Sequence, residues 1–302
     1  MKAMVLKGYG GLEQLELRDI AEPRPGPGEV QVKIAAASVN PIDWKLRSGA
    51  AKALMPLEFP AVLGRDVAGE VTEVGQGVTT LSRGDHVLGL VMRGYAEKVV
   101  ASADAFARLP PGLDLREAAA LPLVLLTGAQ LIEEAVRPRK GDTVLVTGAL
   151  GGVGRAAVHV AKLHGARVLA GVRAGQKAEA AGLGADQVVA IDDDAEIAAL
   201  PLLDAIADTI GHETIARLLE HLKPGGTLGS VVGEPPAARG RSIVVRAFLA
   251  HPDSKRLGEL ATAVARGELK IPIAKRLPLA QAAEAQRLAE RGGAGGKVLI
   301  LM

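Results

Sequence analysis

The sequence of 302 residues contains no cysteine, and this absence removes several kinds of chemistry. Disulfide bonds, thiolate nucleophiles and cysteine-ligated zinc are excluded, because each requires the cysteine sulfur. Aromatic residues are also scarce, with one Trp, two Tyr and three Phe. Nucleic-acid binding by base stacking is therefore not expected, since it requires aromatic platforms. The hydrophobic cores have to be filled by Ala, Val, Leu and Ile.

The sequence also lacks a strong net charge and a long apolar run. The formal net charge is +2, so no electrostatic field is expected to attract nucleic acid or a membrane surface. The first residues do not resemble a signal peptide, and no stretch approaches the roughly 18 apolar residues of a membrane span. We therefore expect a cytoplasmic protein without nucleic-acid or membrane partners.

The length of the chain predicts two domains, and the pattern of strands, helices and turns predicts an α/β protein. The first third has short strand-like runs, such as Val30–Ile34, separated by Gly and Pro turns, which indicates a small, partly open β-barrel. From Asp142 onward strands and helices alternate, as is typical of a doubly wound parallel sheet. A strand–helix–strand pattern returns after residue 270 and is assigned to the first domain. The predicted domains are 1–120 with 271–302, and 121–270.

A glycine-rich loop, TGALGGVG from Thr147 to Gly154, lies between a predicted strand and a predicted helix. It is one glycine short of the G-x-G-x-x-G dinucleotide fingerprint. Glycines allow close approach to a pyrophosphate, and the helix N-terminus offers free N–H groups and the positive end of its dipole. A tight turn without a ligand is the alternative interpretation. The loop residues expected to bind the cofactor are Gly148, Ala149, Leu150, Gly151, Gly152 and Val153.

The residue after the next strand indicates which nicotinamide cofactor is preferred. NAD enzymes carry Asp or Glu about 20 residues past the loop to bind the ribose 2′-hydroxyl, whereas this chain has Arg173, followed by Lys177. A guanidinium can hold a 2′-phosphate bidentately. The position favours NADPH, and two solvated surface cations are the alternative. The six histidines do not pair at metal-ligand spacing, so no metal site is expected.

Several segments together resemble the medium-chain dehydrogenase/reductase superfamily. Within it, they are most similar to the zinc-free quinone oxidoreductases of the zeta-crystallin group. The resemblance covers essentially the whole chain. It is carried, besides the glycine loop, by Ser38–Gly49, Leu63–Val71, Gly84–Val87, Gly94–Glu97, Leu126–Ala129, Asp208–Gly211, Lys223–Gly226 and Gly296–Val298.

This resemblance implies a GroES-like β-barrel catalytic domain built from both termini, with a Rossmann domain between them. It also implies positions for the functional residues. Asn40 and Asp43 are expected near the nicotinamide, and Thr127 is expected to line the phosphates together with the glycine loop. Phe248 is expected in a loop that closes over the nicotinamide. Further contacts with the cofactor are expected from Thr209, Ile210 and Gly233.

Two departures from the family pattern affect the expected chemistry. Lys45 stands where many quinone reductases have Tyr, and it is similar to the alkenal and enone oxidoreductase branch. Gly64–Asp66 reads Gly-Arg-Asp where zinc-dependent relatives have Gly-His-Glu, so the catalytic zinc ligand is missing. The expected catalytic residues are Asn40, Asp43 and Lys45. Lys45 would polarise the substrate carbonyl, and the alternative is that it points into solvent.

These observations predict an NADPH-dependent, metal-independent reductase of a small quinone or α,β-unsaturated carbonyl. A nucleotide-binding protein without turnover and an enoyl-thioester reductase stay open as alternatives. Relatives commonly dimerise through an edge strand of the Rossmann sheet, and Ser242–Arg246 reads as such a strand. A homodimer is therefore expected, although a fully internal strand fits the same residues.

Overall fold

The computed structural model describes residues 1–302, except for the side chain of His212. The chain forms two compact units, which are Met1–Leu123 with Pro252–Met302 (unit 1) and Val124–His251 (unit 2). The strands are β1 Lys2–Leu6, β2 Leu15–Asp19, β3 Glu29–Ser38, β4 Ala61–Val62, β5 Asp66–Val74, β6 His86–Leu90, β7 Lys98–Ser102, β8 Phe106–Arg108, β9 Thr143–Thr147, β10 Arg167–Val172, β11 Gln187–Ala190, β12 Leu203–Asp208, β13 Leu222–Ser230, β14 Val244–Ala247, β15 Ile273–Pro278 and β16 Lys297–Leu301. The helices are α1 Pro41–Ser48, α2 Pro122–Gln130, α3 Gly152–Leu163, α4 Lys177–Ala180, α5 Asp194–Ala198, α6 His212–Leu218, α7 Ser254–Ala265 and α8 Ala282–Arg291.

Unit 1 is built on a mostly antiparallel sheet of seven strands in the order β15-β16-β3-β5-β6-β8, with β7 paired to β3. A second sheet of three strands has the order β2-β1-β4. The long strand β3 is central because its buried residues, including Val30, Val32 and Ile34, form a core with strands β5 to β8. Strand β16, near the C-terminal end of the sequence, pairs antiparallel with β3, which places Leu299 opposite Ser38.

Helix α7 belongs to unit 1, whereas the sequence analysis resumed the first domain only at residue 271. The physical reason is that α7 packs on strand β8. Gly258 faces this strand, and a Cβ added to it would make an ordinary van der Waals contact with the Ala107 Cβ, at 3.6 Å. The apolar face of α7 includes the buried residues Leu257, Leu260 and Ala261. Such a face predicts that the helix packs on a sheet, but it does not indicate which of the two units that sheet belongs to.

Unit 2 has a parallel sheet of six strands in the order β11-β10-β9-β12-β13-β14. This order reverses direction next to β9 and is that of a doubly wound Rossmann sheet. Its interior is apolar and almost free of aromatic residues, as the composition requires, with Leu145, Leu169 and Ile206 fully buried. Strand β14 pairs only with β13 and lies at the sheet edge, which excludes the fully internal strand that the sequence allowed.

One helical stretch, Glu117–Val136, is long and apolar enough by length and composition to cross a membrane. The prediction from sequence that no stretch is long and apolar enough to span a membrane is therefore wrong by the criterion of length and hydropathy. In the structure, 83% of its most apolar window is buried inside the protein. The stretch is therefore a core element, since a membrane span would expose its apolar side chains to lipid.

Candidate active site

The glycine loop of unit 2 joins β9 to α3 and fits closely against the segment that follows β12. Gly148 has φ 60°, and a Cβ on it would lie 2.6 Å from Thr209 Oγ1 and 2.7 Å from the Ile210 Cγ2. A Cβ on Gly154 would overlap the Gly148 carbonyl oxygen. Both positions therefore require glycine, and the loop brings Gly148, Thr209 and Ile210 together.

The N-terminus of α3 leaves backbone donors for an anion. Gly151 is the N-cap residue, and no side chain caps the helix there. The first-turn N–H groups of Gly152 and Val153 have no intrahelical acceptor, and the helix dipole places positive potential at this end. A pyrophosphate supplies the acceptors and the negative charge that such a terminus binds. The loop therefore fits a nicotinamide dinucleotide.

A buried polar cluster at the carboxyl ends of β9, β12 and β13 fixes this loop, and sequence analysis gave it no role. The Thr147 hydroxyl donates to Asp208 Oδ1 at 3.0 Å, and the Ser230 hydroxyl donates to Asp208 Oδ2 at 3.0 Å. The Thr209 hydroxyl donates to the Thr147 carbonyl at 2.7 Å. These bonds hold Thr209 and Ile210 against the loop. The carboxylate at a strand end was a signal that could have pointed to Asp208.

The two cations predicted to select NADPH have different surroundings. Arg173 follows β10, is exposed, and its guanidinium has no hydrogen-bond or ion-pair partner among the described residues. Lys177 is instead paired with Glu196, whose Oε1 lies 2.6 Å from the Nζ. Arg173 is therefore free to bind a phosphate, whereas Lys177 would have to leave its ion pair.

The remaining predicted cofactor residues lie in different parts of unit 2. Thr127 is buried on α2. Gly233 has φ 106° in the loop after β13, and nothing lies within 4 Å of a Cβ placed on it. Phe248 directly follows β14 and is half-buried, and its N–H donates to the Ser230 carbonyl at 3.3 Å. Through Ser230, Phe248 is connected to the Asp208 cluster and thus to the glycine loop.

In unit 1, the predicted catalytic segment forms the start of α1. Asn40 is the N-cap, Pro41 occupies the first turn, and the Asn40 N–H donates to Asp43 Oδ2 at 2.8 Å. Pro41 suits this position because its fixed φ is helical and its missing N–H is not needed there. The helix ends at Ser48, and its C-cap residue Gly49 has φ 84°. The N-cap and the following proline account for the helix beginning at Pro41.

Asp43 is completely buried, and its charge is only partly compensated. Oδ2 accepts hydrogen bonds from the Asn40 N–H and from the Tyr95 hydroxyl, each at 2.8 Å, whereas Oδ1 has no partner among the described atoms. Burial raises the pKa of Asp43 to about 6, although the two hydrogen bonds and Lys297 oppose the shift. Burial and the adjacent Asp43 also raise the pKa of Tyr95 well above its usual range.

A second buried network joins Asp66, Asn40 and Lys297, and sequence analysis missed it. Asp66 Oδ2 accepts from the Ser38 hydroxyl at 2.6 Å and from Asn40 Nδ2 at 2.8 Å, with Lys297 Nζ at 3.4 Å. Lys297 Nζ also donates to Asn40 Oδ1 at 2.5 Å. The lysine was visible in the sequence only as part of Gly296–Val298. Its contact with Asn40 spans 257 residues and leaves no local signal.

These contacts revise how the three predicted catalytic residues can act. Asn40 and Asp43 are buried and hydrogen-bonded within unit 1, so we propose positioning roles for them rather than direct contact with substrate. Lys45 lies on the exposed face of α1, and its ammonium has no hydrogen bond or ion pair among the described side chains. Lys45 therefore remains available for a ligand.

Zinc does not fit the residues that this chain offers. Asp66 already accepts from Ser38, Asn40, Lys297 and the Leu123 N–H, and Arg65 donates to the Val91 carbonyl at 3.0 Å. An ammonium beside the carboxylate would repel a divalent cation. The described side chains include no cluster of three or more His, Cys, Asp or Glu suited to a metal.

Comparison with known proteins agrees with this architecture. Residues 26–111 match the alcohol dehydrogenase GroES-like domain, and residues 183–300 match the zinc-binding dehydrogenase family. The quinone oxidoreductase of Rattus norvegicus is 32% identical over 325 aligned positions, covering 100% of this chain and 98% of the relative. The chain belongs to the medium-chain dehydrogenase/reductase family.

Solved structures of this family superpose on the whole chain. The quinone oxidoreductase from Coxiella burnetii has a TM-score of 0.89 at 30% identity, with 100% of this chain and 99% of that chain covered. An NAD-dependent alcohol dehydrogenase has a TM-score of 0.86 at 30% identity, with both chains covered fully. The family confirms the predicted fold class of a GroES-like domain with a Rossmann sheet. The protein is an oxidoreductase that uses a nicotinamide cofactor and acts on a small molecule.

Proposed function

We propose that this oxidoreductase uses NADPH, without a metal, to reduce a quinone or an α,β-unsaturated carbonyl compound. The observation that carries the cofactor assignment is Arg173 at the end of β10, which is exposed and has no partner among the described side chains. A ribose-binding carboxylate at this position would favour NADH. Lys177 would reinforce it only after leaving Glu196. The loop from Gly148 to Val153, with Thr127, Thr209, Ile210, Gly233 and Phe248, is proposed to hold the rest of the cofactor.

The substrate class follows from how the developing charge can be stabilised. When bound, the cofactor supplies a hydride. Without a metal as Lewis acid, the acceptor has to spread the negative charge itself, which a conjugated carbonyl or a quinone does. The exposed ammonium of Lys45 is a suitable donor to an enolate oxygen, and solvent can supply the final proton. A conjugated acceptor therefore suits this site better than a simple ketone.

A turnover panel tests this proposal against its rivals. NADPH oxidation is measured with quinones, alkenals, ring enones and an enoyl thioester, and NAD⁺ reduction is measured with secondary alcohols, each with and without a chelator. We expect NADPH consumption with quinones or enones that the chelator leaves unchanged. Turnover confined to alcohols with NAD⁺ would contradict the proposal, and NADPH binding without any turnover would favour a binding protein. A cytoplasmic location and a homodimer are proposed alongside.

A further inference from the structure

Lys297 is a buried lysine that the proposed reaction does not use. Its side chain is only 10% exposed, and the Asp66 side chain beside it is fully buried. Burial lowers the pKa of Lys297, whereas the neighbouring Asp66 and Asp43 act in the opposite direction. Burying a lysine in this way costs stability unless the ammonium is paired and hydrogen-bonded. The contacts that compensate this cost show what the ammonium holds.

Among the described residues, the partners of the ammonium all belong to the segment Val39–Asn40 or to the neighbouring Asp66. Lys297 Nζ donates to the Val39 carbonyl at 3.0 Å and to Asn40 Oδ1 at 2.5 Å, and it lies 3.4 Å from Asp66 Oδ2. Three ammonium protons therefore meet three acceptors. The group has no proton left for a substrate, which excludes it as a catalytic acid in this arrangement.

The two charges determine how the Asn40 amide is oriented. Its Nδ2 donates to Asp66 Oδ2 at 2.8 Å, and its Oδ1 accepts from Lys297 at 2.5 Å. Rotating the amide by half a turn would place its oxygen against the carboxylate and its NH₂ against the ammonium, so both contacts would become repulsive. Only one orientation is compatible with the ion pair.

Asn40 in turn sets where α1 begins. Its N–H donates to Asp43 Oδ2 at 2.8 Å, and its carbonyl accepts the Asp43 N–H at 2.9 Å. The preceding residue is tied to the same strand as Lys297, because the Val39 N–H donates to the Val298 carbonyl at 3.0 Å. Strand β16 thus fixes both residues that precede the helix carrying Lys45.

We propose that Lys297 is a positioning residue, which locks Asn40 through its ion pair with Asp66 and thereby fixes the helix that presents Lys45 to substrate. This inference rests on the proposed function for its effect on turnover. The lock itself is a property of unit 1 and can be measured without any substrate.

The primary test compares Lys297→Met with Lys275→Met, a control on the adjacent strand β15 where the lysine is exposed. Hydrogen exchange of residues 40–48 should accelerate at least tenfold in K297M and stay unchanged in K275M. NADPH affinity should stay within about twofold in both, because the described contacts of Lys297, with Val39, Asn40 and Asp66, all lie in unit 1. Unchanged exchange in folded K297M would overturn the proposal.

A charge-neutral pair separates positioning from the penalty of an unpaired buried carboxylate. Asp66→Asn with Lys297→Met removes both charges, so it should recover much of the melting temperature lost in K297M. The double variant does not restore the contact that holds the Asn40 amide in one orientation. The kcat for an enone should therefore stay below the parent value by a factor on the order of 10², which is the effect of a misplaced catalytic group. Recovery of kcat together with stability would show a purely structural role and overturn the proposal.

Two further arms keep the result interpretable. Lys297→Gln retains an N–H donor for Asn40 Oδ1 without the charge, so its exchange and kcat should fall between those of the parent and K297M. If K297M does not fold, K297Q and the charge-neutral pair decide the question. If the parent turns over no quinone or enone, the proposed function has failed, and hydrogen exchange of residues 40–48 alone decides whether Lys297 is a lock.

Discussion

At the scale of single residues, the two cations proposed to bind the 2′-phosphate of NADPH differ in whether they already have an ion-pair partner. The Arg173 guanidinium has no hydrogen-bond or ion-pair partner among the described residues. Lys177 Nζ instead lies 2.6 Å from Glu196 Oε1 and is paired with it. An unpaired guanidinium binds an incoming phosphate without first giving up another contact. Arg173 should therefore contribute more than Lys177 to cofactor selection.

Replacing Arg173 by Ala should weaken NADPH binding by roughly 1–3 kcal/mol, the range of a charge-assisted hydrogen bond, and should leave NADH binding nearly unchanged. Fluorescence titration with both cofactors measures the difference. Lys177→Ala serves as the comparison and should have the smaller effect. Equal losses for NADPH and NADH in R173A would show that Arg173 does not contact a 2′-phosphate.

Lys45 is proposed to stabilise the enolate oxygen that forms during reduction. Lys45→Met keeps most of the length of the side chain and removes its charge. We expect kcat/KM for an enone to fall about 10²-fold, which is the effect of one lost oxyanion donor, with NADPH affinity retained. Lys52→Met, an exposed lysine just beyond α1, is the control. A K45M enzyme with parental kcat/KM would mean that Lys45 points into solvent.

Asp43 should make stability depend on pH. Its pKa is raised from 3.8 to about 6 in the folded protein, so the folded state binds this proton more tightly than the unfolded state. The contribution is present below pH 3.8 and is lost as pH rises through about 6. At about 1.36 kcal/mol per pKa unit, the change amounts to about 3 kcal/mol.

The variant Asp43→Asn cannot ionise and should lack this contribution. Urea unfolding of the parent and of D43N at several pH values between 4 and 7.5 measures it. The free energy of unfolding of the parent should fall relative to that of D43N over this interval, because all other titrating groups are shared. Parallel pH profiles for the two proteins would contradict the raised pKa.

At the scale of elements, strand β14 is one of the two edges of the unit 2 sheet and has a side that pairs with no described strand. It pairs only with β13, and Val244 is 39% exposed. An exposed edge with apolar side chains favours pairing with another strand. This geometry supports the proposed homodimer, in which two such edges would meet.

Val244→Asp should therefore convert a dimer into a monomer. Light scattering at micromolar concentration is expected to give the mass of two chains for the parent and of one chain for V244D. Leu163→Asp, at a more exposed apolar residue at the end of α3, should leave the dimer intact. A parent protein with the mass of a single chain would refute the dimer directly.

The elements also show which parts of the fold sequence reasoning could reach. The glycine loop was predictable because its strand, turn and helix signals are contiguous from Thr143 to Leu163. Helix α7 was assigned to the wrong unit because an amphipathic helix does not encode which sheet it covers. The Asp66–Lys297 pair was not predictable, since 231 residues separate its members and no local pattern relates one to the other.

At the scale of the whole molecule, unit 1 is the first to begin during synthesis but the last whose sheet has all its strands. Unit 2 is continuous from Val124 to His251, so all six of its strands are present before α7 has been made. Unit 1 needs β16, which lies between β15 and β3 in its sheet. Until then, β3 has an unpaired edge at Ala36–Ser38.

During synthesis, the nascent chain should therefore carry a folded Rossmann sheet and an open barrel, because contacts distant in sequence form last. Chains stalled after residue 290 should protect unit 2 from proteolysis while leaving β3 and α1 sensitive. Chains that contain all 302 residues, free of the ribosome, should protect both units. Equal protection of α1 in the two cases would contradict this order. Pairing of β16 with β3 would thus be the event that fixes the position of α1, the helix proposed to present Lys45.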